Sequence, residues 1–283
     1  MQISIMLSNL KLPFEEALDT VQSLGIPAVQ ISISKDDDAA ARRGMASAIA
    51  ARGLKVSAIC VDAGDLGESE KADAAVEAVK PFLDIAAEIG NGICQTHVGI
   101  MPYTMSGPRW DSFVRSCTAI AQHGEAVGAC LAMETGPEPP RVMEALIRAV
   151  GSTALRVNYD PANFIIWPAV LPKFPEYEKQ TEAPGRTYDR DAAMQEFEPV
   201  EGVRRLGEFI VHTHAKDARG EGGWGDVPLG EGWVDWPRYL RLLKESGYDG
   251  YLAIEREAGD DRVGEIGHAA EFLNDQLRRL EQS

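Results

Sequence analysis

Short apolar segments alternate with amphipathic segments along almost the whole chain, and this alternation constrains the fold more than any other feature. Each apolar segment is bounded by Gly, Pro or charged residues, which is typical of strands buried in a parallel sheet. The predicted strands are Gln2–Leu7, Ala28–Ile33, Lys55–Val61, Gly92–Val98, Ala129–Met133, Leu155–Tyr159, Phe209–His214 and Tyr251–Ile254.

Apolar residues recur at spacings of three and four between these strands, which predicts helices. The predicted helices are Phe14–Leu24, Asp73–Ile89, Trp110–Val127, Pro140–Val150, Pro199–Leu206, Trp236–Ser246 and Asp261–Leu280. Several of them end at a glycine, such as Gly128 or Gly151, as helices commonly do. The strand–helix alternation over 283 residues predicts an α/β fold, a (β/α)8 TIM barrel that forms a single domain over residues 1–283.

One segment departs from the alternation. Residues 163–198 contain Trp167 and several prolines but no clear period, which predicts a long loop after the sixth strand. Loops of this length are uncommon unless they cover a functional site or are disordered. Because the loop would follow a barrel strand, we expect an insertion at the active-site face, with a surface loop of no function as the alternative.

The charge and composition exclude several classes of partner. A net charge of −16 without a cluster of Lys and Arg argues against binding to nucleic acid or to anionic membranes. No apolar run approaches the roughly 20 residues of a membrane span, and the first residues do not resemble a signal peptide. The four cysteines form no CxxC pair and fit a reducing compartment, so we expect a cytoplasmic protein.

Ionisable residues stand at the ends of the last four predicted strands, namely Glu134, Asp160, His214 and Glu255. Contact with water would explain any one of them, but barrel active sites are built where strands end, so the four should converge. Three carboxylates that converge would repel one another unless a cation lay between them. One imidazole with three carboxylates favours a divalent ion, Mn²⁺ first, with Co²⁺, Mg²⁺ or Zn²⁺ as alternatives.

Further residues are candidates for the same site. His212 should share a face with His214 and lie one layer lower, where it would support the ligands from behind. His97 ends the fourth predicted strand and could contact substrate. Lys216 could bind a carbonyl or hydroxyl group, or form a salt bridge with its neighbour in the sequence, Asp217. Trp224, in a glycine-rich stretch, could offer its ring to a sugar.

The sequence around these residues resembles the sugar phosphate isomerase/epimerase family of xylose isomerase-like TIM barrels. The similar strings are AMETGPEP, NYDPANF, VHTHAKDA, GEGWVDWPRYL, and AIERE followed by GDDR. The resemblance covers essentially the whole chain. It implies one divalent metal that chelates two oxygens of a keto-sugar or keto-polyol and stabilises an enediolate, with Glu134 and Glu255 as acid and base. It also implies a homo-oligomer, either a dimer or a tetramer.

The chain also departs from this family at positions that contact sugar hydroxyls. The ketohexose 3-epimerases carry His, Arg and Glu where this chain has Asn163, Gly220 and Pro140, although Arg219 adjoins Gly220. Asn163 and Arg219 therefore remain candidate substrate contacts, while a free ketohexose is disfavoured relative to keto-inositols or oxidised glycosides. A lyase or dehydratase that eliminates a β-substituent from a 3-keto sugar, a 3-keto glycoside or an inosose is the alternative function.

Two more distant alternatives fit the sequence less well. A DNA-cleaving, three-zinc enzyme of this fold would need more His ligands and a basic groove, whereas the chain has five histidines and a charge of −16. A non-catalytic barrel would be expected to have lost a ligand, and Glu134, Asp160, His214 and Glu255 all remain.

Overall fold

The fold is seen in a computed structural model that describes residues 1–34, 36–68, 70–183, 185–220 and 225–282. Its strands are β1 (Gln2–Met6), β2 (Ala28–Ser32), β3 (Lys55–Cys60), β4 (Ile93–Thr96), β5 (Cys130–Glu134), β6 (Leu155–Tyr159), β7 (Ile210–Ala215), β8 (Asp217–Ala218), β9 (Asp226–Val227) and β10 (Tyr251–Ile254). All except β8 and β9 form a closed parallel barrel in the order β1–β10–β7–β6–β5–β4–β3–β2. The predicted TIM barrel is therefore confirmed. The limits of each predicted strand lie within two residues of the limits of an observed strand.

Helices connect the barrel strands and cover the outside of the barrel. They are α1 (Phe14–Ser23), α2 (Ala39–Ala51), α3 (Ala72–Ile89), α4 (Gly107–Val127), α5 (Pro140–Val150), α6 (Asn163–Val170), α7 (Pro175–Gln180), α8 (Arg190–Phe197), α9 (Val203–Leu206), α10 (Trp236–Glu245) and α11 (Arg262–Gln282). Fully buried residues such as Leu243 on α10 and Leu252 on β10 belong to the core that joins strands to helices. Among the described residues, no helix has the length and apolar character needed to cross a membrane.

Helix α2 is absent from the predicted set. Ile49 is its one fully buried residue, so apolar residues do not mark a face of this helix in the sequence. The helix forms for two local reasons. Alanine has the highest helix propensity, and the Asp38 carboxylate caps the first turn by accepting the N–H of Ala41 at 2.8 Å.

The segment 163–198, predicted to be a long loop, is instead a helical insertion that contains α6, α7 and α8. Helix α6 is buried on almost all sides and contains Pro168, so its sequence lacks the one-sided periodicity by which helices are recognised. The insertion follows the sixth barrel strand, as predicted. It brings Asn163, Ile166 and Trp167 to the cavity at the C-terminal end of the barrel.

Two breaks in strand register lie beside polar residues of the barrel interior. One falls between Val29 and Gln30 where β2 pairs with β3, and the other between Val157 and Asn158 where β6 pairs with β7. Gln30 and Asn158 are both fully buried. Bulges change the direction in which neighbouring side chains point, and they are frequent next to active sites. These two breaks therefore affect the directions in which Gln30 and Asn158 point inside the barrel.

A single buried carboxylate organises the connection that follows β7. The Asp217 side chain accepts the backbone N–H groups of Ala218, Gly230 and Val234 at 2.9, 3.0 and 3.2 Å. It also accepts the indole N–H of Trp236 at 3.0 Å. The beginning of this connection, at Ala218, and its end, at Gly230, Val234 and Trp236, are thereby fixed to one residue.

We expect Asp217→Ala to lower the free energy of unfolding by about 3 kcal/mol or more, because it leaves several buried N–H groups without an acceptor. Urea denaturation followed by circular dichroism would measure the change. Asp235→Ala is a matched control, since the exposed Asp235 caps α10 through the N–H of Arg238 and its loss should cost about 1 kcal/mol. Equal effects of the two substitutions would contradict the anchoring role of Asp217.

Candidate active site

Four ionisable side chains meet at the C-terminal end of the barrel, as their positions at strand ends predict. Glu134 ends β5, Asp160 follows β6, His214 lies in β7 and Glu255 follows β10. One potential ligand atom from each lies within 4.8 Å of the others, and all four residues are buried. The Nδ1 atom of His214 is 3.2 Å from Glu134 Oε1 and 3.2 Å from Glu255 Oε2.

The two oxygens of Asp160 have different surroundings. Oδ1 accepts the backbone N–H groups of Ala162 and Asn163 at 2.8 and 3.3 Å. Oδ2 is buried, has no hydrogen-bond partner, and lies 4.0 Å from His214 Nδ1. A buried carboxylate oxygen without a partner is costly. This oxygen, directed at a cluster of one nitrogen and further carboxylate oxygens, fits a ligand of a divalent cation.

Burial and the neighbouring charges shift the pKa values of these groups. Burial, with the charges of Glu255 and Glu134, raises the pKa of Asp160 to about 8. Burial opposes the charging of His214, but Glu255 and Glu134 outweigh it and raise the pKa of that imidazole well above its ordinary value. A cation could replace the protons on Asp160 and His214, and it would then face three carboxylates and one imidazole lone pair.

A closed ring of hydrogen bonds orients His214. The Glu134 carboxylate can only accept, so the amide nitrogen of Gln95 must face Glu134 Oε2. The Gln95 oxygen then accepts Gln30 Nε2–H at 2.9 Å, and the Gln30 oxygen lies 3.1 Å from His214 Nε2. That nitrogen therefore carries a proton, and Nδ1 is left to face the cluster. Such a partner fixes the tautomer and the orientation of a metal-ligating histidine.

Glu134 is held from a second side by the insertion. The Asn163 side-chain amide donates to Glu134 Oε1 at 2.9 Å and to the Thr135 carbonyl at 3.1 Å. Thr135 in turn exchanges hydrogen bonds with the backbone of Asp160, at 2.9 and 2.7 Å. The ends of β5 and β6 are thus tied together, and Asn163, a candidate substrate contact, lies at the site and orients a carboxylate.

Lys216 belongs to the same cluster. Its Nζ atom is 3.0 Å from Glu255 Oε2 and 4.0 Å from Asp160 Oδ2, and it also forms an ion pair with Glu257. The salt bridge with Asp217 that the sequence left open is not the one that forms, because the oxygens of Asp217 accept the N–H groups of the following connection. Lys216 instead places its charge beside Glu255.

The two remaining candidate histidines occupy different levels. His97 is half-exposed at the mouth of the cavity, with Nε2 3.4 Å from Glu134 Oε2. His212 lies deeper, with Nδ1 2.8 Å from Asn158 Oδ1 and Nε2 3.2 Å from Ser57 Oγ. Burial is the main reason why the pKa of His212 falls well below its ordinary value, so its ring is neutral. It packs edge-on against the ring of His214 rather than hydrogen bonding to a candidate ligand.

One predicted substrate contact, Arg219, does not join this group. Arg219 is exposed and donates through Nε to the carbonyl of Glu231 at 2.8 Å, and it does not line the cavity. Trp224 lies outside the described residues. Sequence reasoning in turn missed Gln30 and Gln95. The signal was a lone glutamine within an apolar strand, in the strings AVQIS and ICQT, where a buried amide needs a partner.

A cavity of about 640 Å³ opens directly above the cluster. His97, Glu134, Lys216 and Glu255 line its floor and sides, and Trp167 of α6 adds an aromatic wall. The volume lies within the range of small-molecule sites. The arrangement therefore combines a candidate cation site, two carboxylates and hydrogen-bond donors in one space large enough for a sugar.

The chain is similar to known proteins over most of its length. The family model described as "Xylose isomerase-like TIM barrel" matches residues 18–276. An L-ribulose-5-phosphate 3-epimerase, UlaE of Escherichia coli, is 24% identical over an alignment that covers 93% of this chain and 90% of that protein.

Solved structures share the fold. A xylose isomerase domain protein from Planctomyces limnophilus has a TM-score of 0.74 at 24% identity, covering 94% of this chain and 93% of that one. A xylose isomerase-like TIM barrel protein from Mycobacterium smegmatis, solved in complex with magnesium, has a TM-score of 0.68 at 17% identity, covering 98% and 96%.

One further acid near the site has an unusual environment. Glu138 lies in the connection after β5 and is buried, and its Oε2 has no hydrogen-bond partner. Burial raises the pKa of Glu138 to about 8, although the N–H groups of Glu138 and Met101 act in the opposite direction. The carboxyl group is therefore mostly protonated at neutral pH.

We expect Gln30→Leu to weaken metal binding by about 10- to 100-fold, because it removes the acceptor that orients His214. His214→Ala should abolish binding. Isothermal titration with MnCl₂ and MgCl₂ would measure both effects. Gln22→Leu is the matched control, since Gln22 is exposed on α1 and bonds to the Arg52 carbonyl. Unchanged affinity in a folded Gln30→Leu protein would contradict the orienting role, and a metal bound normally by His214→Ala would refute the ligand assignment.

We expect the stability contributed by Glu138 to be complete below its unfolded pKa of 4.5 and to be lost as pH rises to about 8. Glu138→Gln removes this titration. Relative to the native chain, the variant should therefore gain up to about 4 kcal/mol in unfolding free energy between pH 5 and pH 8.5. Urea denaturation at both pH values would measure it, with the exposed acid Glu88 changed to Gln as the control. An identical pH dependence of Glu138→Gln and the native chain would contradict the raised pKa.

Proposed function

Because the chain belongs to the xylose isomerase-like TIM barrel family, we propose that it is a metal-dependent isomerase or epimerase of a keto-sugar or keto-polyol. The observation that carries the proposal is the convergence of Glu134, Asp160, His214 and Glu255 below a cavity of sugar size. The similarity to a ribulose-phosphate 3-epimerase over 93% of the chain supports the same class of reaction, which is proton transfer beside a carbonyl group.

The four clustered residues are the proposed metal ligands. A divalent ion bound there would polarise a substrate carbonyl and stabilise the negative charge that develops when the neighbouring carbon loses its proton. We propose Mn²⁺, because a mixed set of one nitrogen and three carboxylates suits an ion of intermediate hardness. Co²⁺, Mg²⁺ and Zn²⁺ are the alternatives, and the magnesium complex of a structural relative supports Mg²⁺ as the first competitor.

Glu134 and Glu255 are the proposed acid and base. Burial would raise the pKa of each, but His97 and His214 lower that of Glu134, and His214 and Lys216 lower that of Glu255. These neighbours favour the ionised carboxylate, which is the form that can accept the proton from the substrate carbon. The other glutamate would act as the acid in its protonated form and return a proton to the opposite face of that carbon. Proton transfer requires a group of suitable charge within hydrogen-bond reach of the reacting atom.

Three neighbours have proposed supporting roles. His97 would contact a substrate hydroxyl at the mouth of the cavity, and Asn163 would fix the oxygen of Glu134 that is not bonded to Gln95. The third is Lys216, which provides a buried ammonium group beside Glu255 and faces the cavity. The helical insertion 163–198 would act as the active-site cover, since α6 contributes to the cavity wall.

Lys216 also gives the alternative function a structural basis. Expulsion of a hydroxyl or glycosyl group from the carbon beyond an enolate requires a proton donor at the leaving oxygen. Lys216 could provide that proton while Glu255 or Glu134 removes the first one. A lyase or dehydratase acting on a 3-keto sugar, a 3-keto glycoside or an inosose is therefore the second candidate. The cytoplasmic location and the dimeric or tetrameric state stay predictions of the sequence.

Solvent-exchange NMR would test the proposed function. We expect metal-loaded protein in D₂O to place deuterium beside the carbonyl of at least one member of a panel of ketoses, keto-inositols and 3-keto glycosides. Glu134→Gln and Glu255→Gln should each lower the exchange rate by at least about 100-fold, because each removes a group that moves a proton. Glu271→Gln, an exposed acid on α11, is the control and should exchange at the native rate.

The alternative outcomes separate the candidates. Deuterium exchange accompanied by release of water or an aglycone would assign the lyase in place of the isomerase. Near-native exchange in either Glu→Gln variant would refute the two-carboxylate mechanism. No exchange with any member of the panel, in protein shown by titration to bind metal, would contradict the proposed function.

A further inference from the structure

The cavity above the cluster has an excess of acidic side chains. Glu134, Asp226, Glu255 and Glu257 line it, and among the described residues that line it Lys216 is the one permanent cation. Proteins bind phosphate groups with Arg and Lys side chains or with the N–H groups at helix N-termini. The relative from Escherichia coli is named for a substrate that carries a phosphate. The mostly negative side chains of this cavity would repel a phosphate group.

Lys216 is not available to pair with a phosphate. Its ammonium group lies 3.0 Å from Glu255 Oε2 and contacts Glu257 as well, and the lysine side chain is only 4% exposed. A phosphate that approached this ammonium group would have to displace Glu257 and would come to lie beside Glu255. Both steps bring anions together, and they oppose binding.

The arginine next to Glu255 in the sequence is also occupied. Arg256 pairs with Asp226 through its terminal nitrogen and with Glu265 through Nε, at 2.6 Å in each case. The Asp226 carboxylate also accepts the backbone N–H groups of Glu257 and Ala258, at 2.9 and 2.8 Å. These bonds fix the backbone of Glu257, so its negative charge is held at the rim of the cavity by the fold.

We infer that the substrate is an uncharged sugar or polyol, and that Glu257 discriminates against phosphate esters; this inference rests on the proposed function. The half-exposed Glu257 carboxylate repels an anion at the entrance, while hydroxyl groups meet carboxylates that can accept their hydrogen bonds. Residues 221–224 lie outside the described residues, and their sequence, Glu-Gly-Gly-Trp, contains no cation. Lys35 also lies outside them and is included in the test.

The test compares each ketose with its own phosphate ester in the exchange assay, using L-ribulose and D-fructose pairs, with a keto-inositol as a neutral polyol. We expect kcat/KM for each ester to be at least about tenfold below that for the parent sugar. Glu257→Gln should raise the ratio of ester to sugar kcat/KM by about fivefold at low salt, and added salt should reduce this gain. Glu271→Gln is the matched control and should leave the ratio unchanged, as should Lys35→Met.

The outcomes keep this inference separate from the proposed function. An ester used better than its parent sugar would overturn the inference and leave the isomerase or epimerase assignment standing. If Lys35→Met lowers the ratio of ester to sugar kcat/KM, Lys35 contacts the phosphate and the inference is overturned. A ratio that Glu257→Gln leaves unchanged would also overturn the inference. Absence of exchange with every compound in metal-loaded protein would contradict the proposed function itself, and the inference with it.

Discussion

The mutual repulsion of three buried carboxylates is the constraint on which the rest of the site depends. Glu134, Asp160 and Glu255 come from different strands, and closure of the barrel brings their oxygens within a few ångströms of one imidazole. Water cannot screen charges that are buried in this way. The cluster therefore needs positive charge, which protons and Lys216 supply in part and which a divalent ion would supply in full.

The polar interior of the barrel converts this need into a defined geometry. A carboxylate can only accept hydrogen bonds, so Glu134 determines which way Gln95 points, Gln95 determines the direction of Gln30, and Gln30 leaves His214 a single available nitrogen. At each step, the previous side chain has only a donor or only an acceptor still available, and this determines which way the next side chain must point. The orientation of the candidate ligand His214 on β7 is thus set through residues on β2, β4 and β5, which lie far apart in the sequence.

The sequence could predict features that depend on a local pattern of residues, but not those that depend on contacts between residues far apart in the chain. The limits of β10 could be predicted because its sequence, YLAI, is an uninterrupted apolar run between Gly250 and Glu255. The convergence of Glu134, Asp160, His214 and Glu255 could be predicted because strand ends in a barrel meet at one place. Helix α6 could not be predicted, because it is buried on almost all sides and its sequence therefore lacks the one-sided apolar periodicity of a surface helix. Gln30 could not be assigned a role, because its partners lie across the barrel and depend on the local break in register beside it.

Hydrogen bonds distinguish Asp160 from two other buried carboxylates of this chain, Asp217 and Asp226. Asp217 accepts three backbone N–H groups and Asp226 accepts two, and in this way they hold the connections that follow β7 and β10. Asp160 keeps one oxygen without a partner although it is buried. A structural carboxylate gains stability by satisfying both oxygens, whereas a ligand must keep an oxygen available at an energetic cost to the fold. Since Asp160 bears that cost at the point where four strands converge, its open oxygen indicates function more directly than its charge does.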